Sequence, residues 1–246
     1  MSDNQKTIKS EVSISGVGLH IGKKVTLTFK PAPENHGIKF IRVDLPEKPI
    51  IKADVDNVFD TSRGTSIKEN GAEVRTVEHA LAAITGLSID NLIIELDCPE
   101  TPILDGSSKP YLEVLHKAGV IEQAAPREYL EITQHVFYAD PKNKVELIAL
   151  PDDSYNLTVM IDFDASVLGT QNANLNEINN FASEIANCRT FVFLHELEYL
   201  LNNNLIKGGE LNNAIVIIDN EISQNELDRL ADLFHHDHVE VKPQGI

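Results

Sequence analysis

The chain has 246 residues, 42% hydrophobic and 24% charged, which suits one large globular domain or two of about 120 residues. Its formal net charge of −17 excludes an extended nucleic-acid or anionic-membrane surface, since both need basic patches, but leaves room for a small anionic substrate held by local Lys or Arg. Two cysteines, Cys98 and Cys188, form no CxxC pair or disulfide framework, which predicts a reducing cytoplasm.

The polar opening, residues 1–6, has no apolar segment behind it, so no signal peptide is predicted. No apolar run approaches the roughly 20 residues that span a bilayer, which predicts no stable membrane insertion. Residues 7–15 alternate weakly and predict a strand. Residues 16–22 (Gly-Val-Gly-Leu-His-Ile-Gly) form a glycine-rich turn. A strand follows it, not a helix, so a phosphate cradle is a weak reading. Val25–Phe29 alternates clearly, and residues 35–37 turn the chain into Ile38–Val43, which predicts a hairpin. Residues 50–60 read as extended, 61–66 as a polar loop, and Asn70-Gly71 as a second hairpin turn.

Residues 74–86 predict a short helix, with Thr76 as N-cap and Gly86 as a left-handed stop. Val77, Ala80, Leu81 and Ile84 make one apolar stripe. Glu78 and His79 lie off that stripe, on the side of Ala82 and Ala83. A carboxylate beside an imidazole at a positive helix end suits a general base next to a metal ligand; a solvated acidic first turn is the competing reading.

Ile89–Leu96 reads as a buried strand. Ser108 and Pro110 open a helix that ends near Gly119, and residues 122–126 read as a linker. The second half then starts again. Lys24-Val25-x-Leu27-x-x-x-Pro31 recurs as Lys144-Val145-x-Leu147-x-x-x-Pro151, with a second apolar strand after each: Ile38–Val43 and Leu157–Phe163. The spacing of 120 residues predicts duplication of a small α/β unit. Helices are predicted over 176–187 and 194–203, a buried strand over 214–218, and a short helix over 227–234.

Five stretches in this order carry a family resemblance: residues 15–27, Thr76-Val-Glu-His79, Ile89-Asp-Asn91, Leu104-Asp-Gly-Ser107 and Arg189-Thr-Phe191. Together they closely resemble UDP-3-O-acyl-N-acetylglucosamine deacetylase, over essentially the whole chain. The resemblance implies an α+β fold of two duplicated βα sandwich domains packed helix layer to helix layer. The first would span residues 1–125. The second would span 126–246, carry an insert near 189–220 and be incomplete.

The resemblance also implies zinc-dependent hydrolysis of the N-acetyl group of UDP-3-O-acyl-N-acetylglucosamine, the committed step of lipid A synthesis. In it, His79 is the first Zn²⁺ ligand, Glu78 the general base, and the Thr190 hydroxyl the donor to the oxyanion. A zinc-bound water would have its pKa lowered to about 7. Phe191, Leu194, Leu197, Leu211 and Val216 would line an acyl-chain passage, although ordinary core packing explains any one of them equally well. Leu19 and His20 would face the site, and Lys144 and Phe163 would hold the diphosphate and uracil. Ile21 stands where most of the family has Thr or Ser.

One departure is large. The family completes its zinc site with a His-Lys-x-x-Asp helix and uses a later His as general acid, and neither occurs in these 246 residues. The only late cluster is His235-His-Asp-His238; His236 and His238 would share a strand face and could bind a stray metal, but a loop is the preferred reading. The chain therefore resembles the front part of a longer enzyme fused to a 3-hydroxyacyl-carrier-protein dehydratase, inactive alone. The alternative is a non-catalytic nucleotide-sugar-binding or interaction module.

Overall fold

A computed structural model describes residues 4–203, 205–219, 222–234, 237 and 239. The N-terminal half is built on a five-stranded sheet. Its strands are β2 (Val12–Val17), β3 (Lys24–Pro31), β4 (Ile38–Arg42), β5 (Ile50–Lys52) and β9 (Leu92–Leu96), in the order β2-β3-β9-β4-β5. β1 (Asn4–Ile8) lies outside it. The alternation read in the sequence is real: Val25, Leu27 and Phe29 are fully buried along β3, and Leu92, Ile94 and Leu96 along β9.

The predicted hairpin of β3 with β4 does not form. β9 inserts between them, antiparallel to β3 and parallel to β4. The most apolar strand takes the central place, where both its edges are paired, and a short Asn-His-Gly turn carries no signal of that insertion. β6 (Val58–Asp60), β7 (Ser66–Glu69) and β8 (Ala72–Val74) form a separate small sheet. The β7–β8 hairpin turns at Asn70 (φ 51°) and Gly71 (φ 74°), as the Asn-Gly pair predicts.

Two helices complete this core: α1 (Glu78–Gly86) and α2 (Lys109–Ala118). Val77, Ala80, Ala83 and Ile84 of the first segment, and Tyr111, Leu115 and Ala118 of the second, join the strand residues in one apolar cluster. Gly119 ends α2 with φ 76°. The stretch read as a linker is instead β10 (Val120–Pro126), which pairs antiparallel with β1. The Gln123 side chain helps to seat it, donating to the Ala32 carbonyl and accepting from Asn91.

The C-terminal half contains two antiparallel hairpins, β11 (Val136–Asp140) with β12 (Val145–Ala149) and β13 (Leu157–Asp162) with β14 (Thr170–Leu175). Large apolar side chains on them face solvent, among them Phe137, Leu147, Ile148 and Met160. The helix predicted over 176–187 shrinks to a 3-10 turn at Ile178–Asn180 and a single turn, α3 (Phe181–Glu184). Asn176, Asn179 and Asn180 explain this, because asparagine side chains compete for backbone partners and disfavour helix interiors. β15 (Phe191–Phe193), α4 (Leu194–Asn202) and β16 (Ile215–Ile217) then make a βαβ unit with parallel strands. α5 (Gln224–Leu233) starts earlier than predicted. Ser223 and Glu226 form a full capping box at its N-terminus.

Candidate functional site

The chain enters α1 through Thr76, whose backbone is left-handed at φ 58°. The predicted capping role of Thr76 fails. Val77 occupies the cap position with no side-chain cap bond. The Thr76 hydroxyl donates instead to Glu100 Oε1 at 3.0 Å. Glu100 is fully buried, and it also accepts from the backbone N–H groups of His20 and Ile21. One carboxyl group thus ties the glycine-rich turn to the approach of α1. Gly86 is not a left-handed stop either. It lies inside the helix, and a Cβ there would sit 2.1 Å from Phe181 Cδ1, so its smallness serves packing. Ala82 borders the same Phe181 cluster, and Ala83 is buried in the first core.

Glu78 and His79 occupy the first turn of α1. Glu78 Oε2 accepts from the Thr65 backbone N–H at 2.8 Å, which fixes the carboxyl group, while Oε1 lies 4.0 Å from His79 Nε2. The His79 side chain is only 15% exposed. Burial pushes its pKa below 6.5, against the opposing pull of Glu78 and Asp105. A neutral imidazole is the form that offers a lone pair to a metal or a proton.

Thr190 is brought in across the junction of the two halves. Its N–H donates to the Gly106 carbonyl at 2.8 Å, and its carbonyl accepts from Ile215 at 3.0 Å. Arg189 secures this junction. Its guanidinium donates to the backbone carbonyls of Asp105, Asn212 and Ala214. Asp105, one residue before Gly106, is the group whose charge reaches His79. The Gly106–Thr190 bond thus ties the start of β15 to the loop of residues 104–107, and the charge of Asp105 links that loop to the α1 turn.

Thr190 borders an apolar cavity of about 230 Å³. Leu19, His20, Thr190, Phe191, Leu197, Leu211 and Val216 all line it. Leu194 does not; it packs beside Leu197 and Leu200 in the cluster behind. The glycine-rich turn closes against this unit: the Gly208 N–H donates to the Leu19 carbonyl at 2.9 Å, and a Cβ on Gly208 would lie 2.3 Å from the Gly18 carbonyl oxygen. Phe163 stands edge-on to Phe191, ring centroids 5.3 Å apart. Lys144 is an exposed turn residue (φ 54°) whose charge acts on Asp162.

Among the described residues, no three of His, Cys, Asp and Glu converge as a metal site. His235, His236 and His238 lie outside the described residues. Sequence reasoning gave no role to Glu100, Asp105 or Arg189. The available signals were a charged residue between Pro99 and Pro102 and a lone Arg opening an apolar strand.

The family model described as UDP-3-O-acyl N-acetylglycosamine deacetylase matches residues 5–238. A Bacteroides thetaiotaomicron protein named bifunctional enzyme LpxC/FabZ is 44% identical over 98% of this chain and 52% of its own length. The Chlorobaculum tepidum protein of the same name is 45% identical over 93% of this chain and 49% of its own. The chain thus spans about half the length of these relatives. A UDP-3-O-acyl-N-acetylglucosamine deacetylase of Bdellovibrio bacteriovorus is 41% identical over 94% of this chain and 76% of its own. With Glu78 and His79 at the start of α1, and with matches of this breadth, the chain belongs to the UDP-3-O-acyl-N-acetylglucosamine deacetylase family.

Proposed function

We propose that this chain is the front part of a cytoplasmic hydrolase that removes the N-acetyl group of UDP-3-O-acyl-N-acetylglucosamine in lipid A synthesis. The observation that carries the reading is the Glu78–His79 pair at the start of α1, with the charge of Asp105 acting on His79, while Gly106, the next residue, holds Thr190, which lines a cavity with Leu197, Leu211 and Val216. Glu78 takes a proton from the attacking water and passes it towards the leaving amine, so that acetate and the free amine result. The Thr190 hydroxyl donates to the oxygen that gains negative charge as the amide carbon becomes tetrahedral. The apolar cavity receives the 3-O-acyl chain, and Lys144 with Phe163 receives the nucleotide end. In the longer proteins named for two activities, a dehydratase portion would follow.

Zinc is the cofactor that the family relation suggests, with His79 as one ligand. The described residues alone do not fit it, because a catalytic zinc needs about three protein ligands and no three His, Cys, Asp or Glu side chains converge among them. The remaining ligands would come from residues outside those described. In the same reading, residues 1–125 and 126–246 are duplicated units. The supporting feature is the shared hairpin order: β2–β3 then β4–β5 in one half, β11–β12 then β13–β14 in the other.

Metal content by mass spectrometry and deacetylation of the UDP-sugar, measured on the 246-residue chain and on the product of the full reading frame, test the proposal. The longer protein should carry one zinc and be active, and Glu78→Gln should abolish turnover while keeping the metal. The 246-residue chain should carry almost none. A fully active Glu78→Gln enzyme would remove Glu78 from the chemistry.

A further inference from the structure

A second cavity, of about 480 Å³, opens where the glycine-rich turn, the β6–β7 connection and the loop after α4 meet. Four cationic side chains from distant parts of the chain line it: Lys23, Arg63, Arg75 and Lys207. One carboxylate, Asp60, stands among them. In a chain with a net charge of −17, such convergence is not a sampling of the average surface. Like charges gathered in a concavity repel one another, and the concavity concentrates their field on whatever anion enters. Arg75 is engaged by Glu73 at 2.8 Å. Among the described residues, Lys23, Arg63 and Lys207 have no ion-pair partner, so their charges are available to a ligand.

The volume falls within the roughly 300–1,000 Å³ of small-ligand sites. Arg63 adds a planar fork that suits phosphate oxygens, and the lysines add point charges. Neither Lys144 nor Phe163 lines this cavity, so it is separate from the place proposed above for the nucleotide. His20, Ser62 and Arg63 line both this cavity and the apolar one, which makes the two contiguous.

We propose that this basic cavity binds a phosphate-class anion, either free or as the head of a single-chain amphiphile whose tail enters the apolar cavity. The test is an amide-resolved NMR titration of the 246-residue chain with three probes: inorganic pyrophosphate, dodecyl phosphate and uncharged dodecanol. Lys23→Gln, Arg63→Gln and Lys207→Gln replace exposed side chains, so circular dichroism should show unchanged folding. Pyrophosphate should shift signals near residues 20–23, 62–66 and 205–207. Each Gln variant should weaken it about tenfold, and added salt should weaken it further.

If dodecyl phosphate binds at least about tenfold tighter than both pyrophosphate and dodecanol, the ligand is an amphiphile. Equal affinity for the two phosphates assigns a free anion. No shift at about 20 mM pyrophosphate, or binding untouched by all three substitutions, overturns the proposal.

Discussion

The buried carboxyl group of Glu100 accepts two hydrogen bonds from the backbone N–H of His20, at 2.9 and 3.2 Å. It accepts a third from Ile21 at 3.0 Å and a fourth from the Thr76 hydroxyl. Gly18 makes room for it, since a Cβ there would lie 2.5 Å from Glu100 Oε2. Glu100→Gln keeps the shape, but either orientation of its amide sets N–H₂ against a backbone N–H that only donates, that of His20 or Ile21. Leaving buried donors unmatched costs about 2–4 kcal/mol. Urea unfolding should show that loss, and a variant within about 0.5 kcal/mol of the parent would mean that water or another acceptor replaces the carboxyl group.

The second relationship runs between the two halves. Phe181 packs against Gly86 and is 6% exposed, within a cluster that Ala82, Leu112, Ile178 and Ile185 border. Gly86→Ala should therefore destabilise by about 1–3 kcal/mol, because the ring must move. In a Phe181→Ala background the same change should stabilise by about 0.5–1 kcal/mol, as Gly to Ala does in an open helix. A reversal of sign across this double-mutant cycle identifies the contact. The same sign in both backgrounds would rule it out as the reason for the glycine.

These two contacts mark the boundary of what the sequence makes legible. Periodicity gave β3, β9, α1 and α2 within a few residues, because each buries a regular face against one core. It gave Glu78 and His79 as a pair because neighbours in a helix need no tertiary information. It did not give β9 between β3 and β4, β10 in place of a linker, or the partner of the Thr76 hydroxyl. Those depend on pairings across 24 to 122 positions, which no local pattern encodes. The capping box at Ser223 and Glu226 is different. Its S-x-x-E pattern was present in the sequence, ahead of the apolar residues that drew the helix boundary.

Arg42 and Asp44 supply a pH-dependent contribution near the same sheet. Arg42 Nε and Nη2 donate to the two oxygens of Asp44 at 2.8 and 2.7 Å, and Nη1 reaches the Glu73 carbonyl at 2.8 Å. These bonds hold the Asp44 carboxyl below its usual value of 3.8. The folded state then binds fewer protons than the unfolded state in the window just below 3.8. The contribution is present above that pH and is lost as pH falls through the folded value. Asp44→Asn should cost about 1–2 kcal/mol at pH 7. Its unfolding free energy should approach that of the parent below the window. A gap that stays constant from pH 7 to pH 2 would assign the loss to packing.

Thr190 offers the sharpest separation of chemistry from binding. Its backbone is held by Gly106 and Ile215, so the position of Cβ does not depend on the hydroxyl. Thr190→Val keeps the branched shape against Gly106, whose added Cβ would lie 3.2 Å from Thr190 Cγ2, and deletes only the donor. If that donor serves the oxyanion, kcat of the full-length protein should fall about 10²- to 10³-fold with KM little changed. Thr190→Ser should restore most of the rate. A loss confined to KM would make Thr190 part of the wall of the apolar cavity that it also lines, and the oxyanion donor would then have to be sought elsewhere.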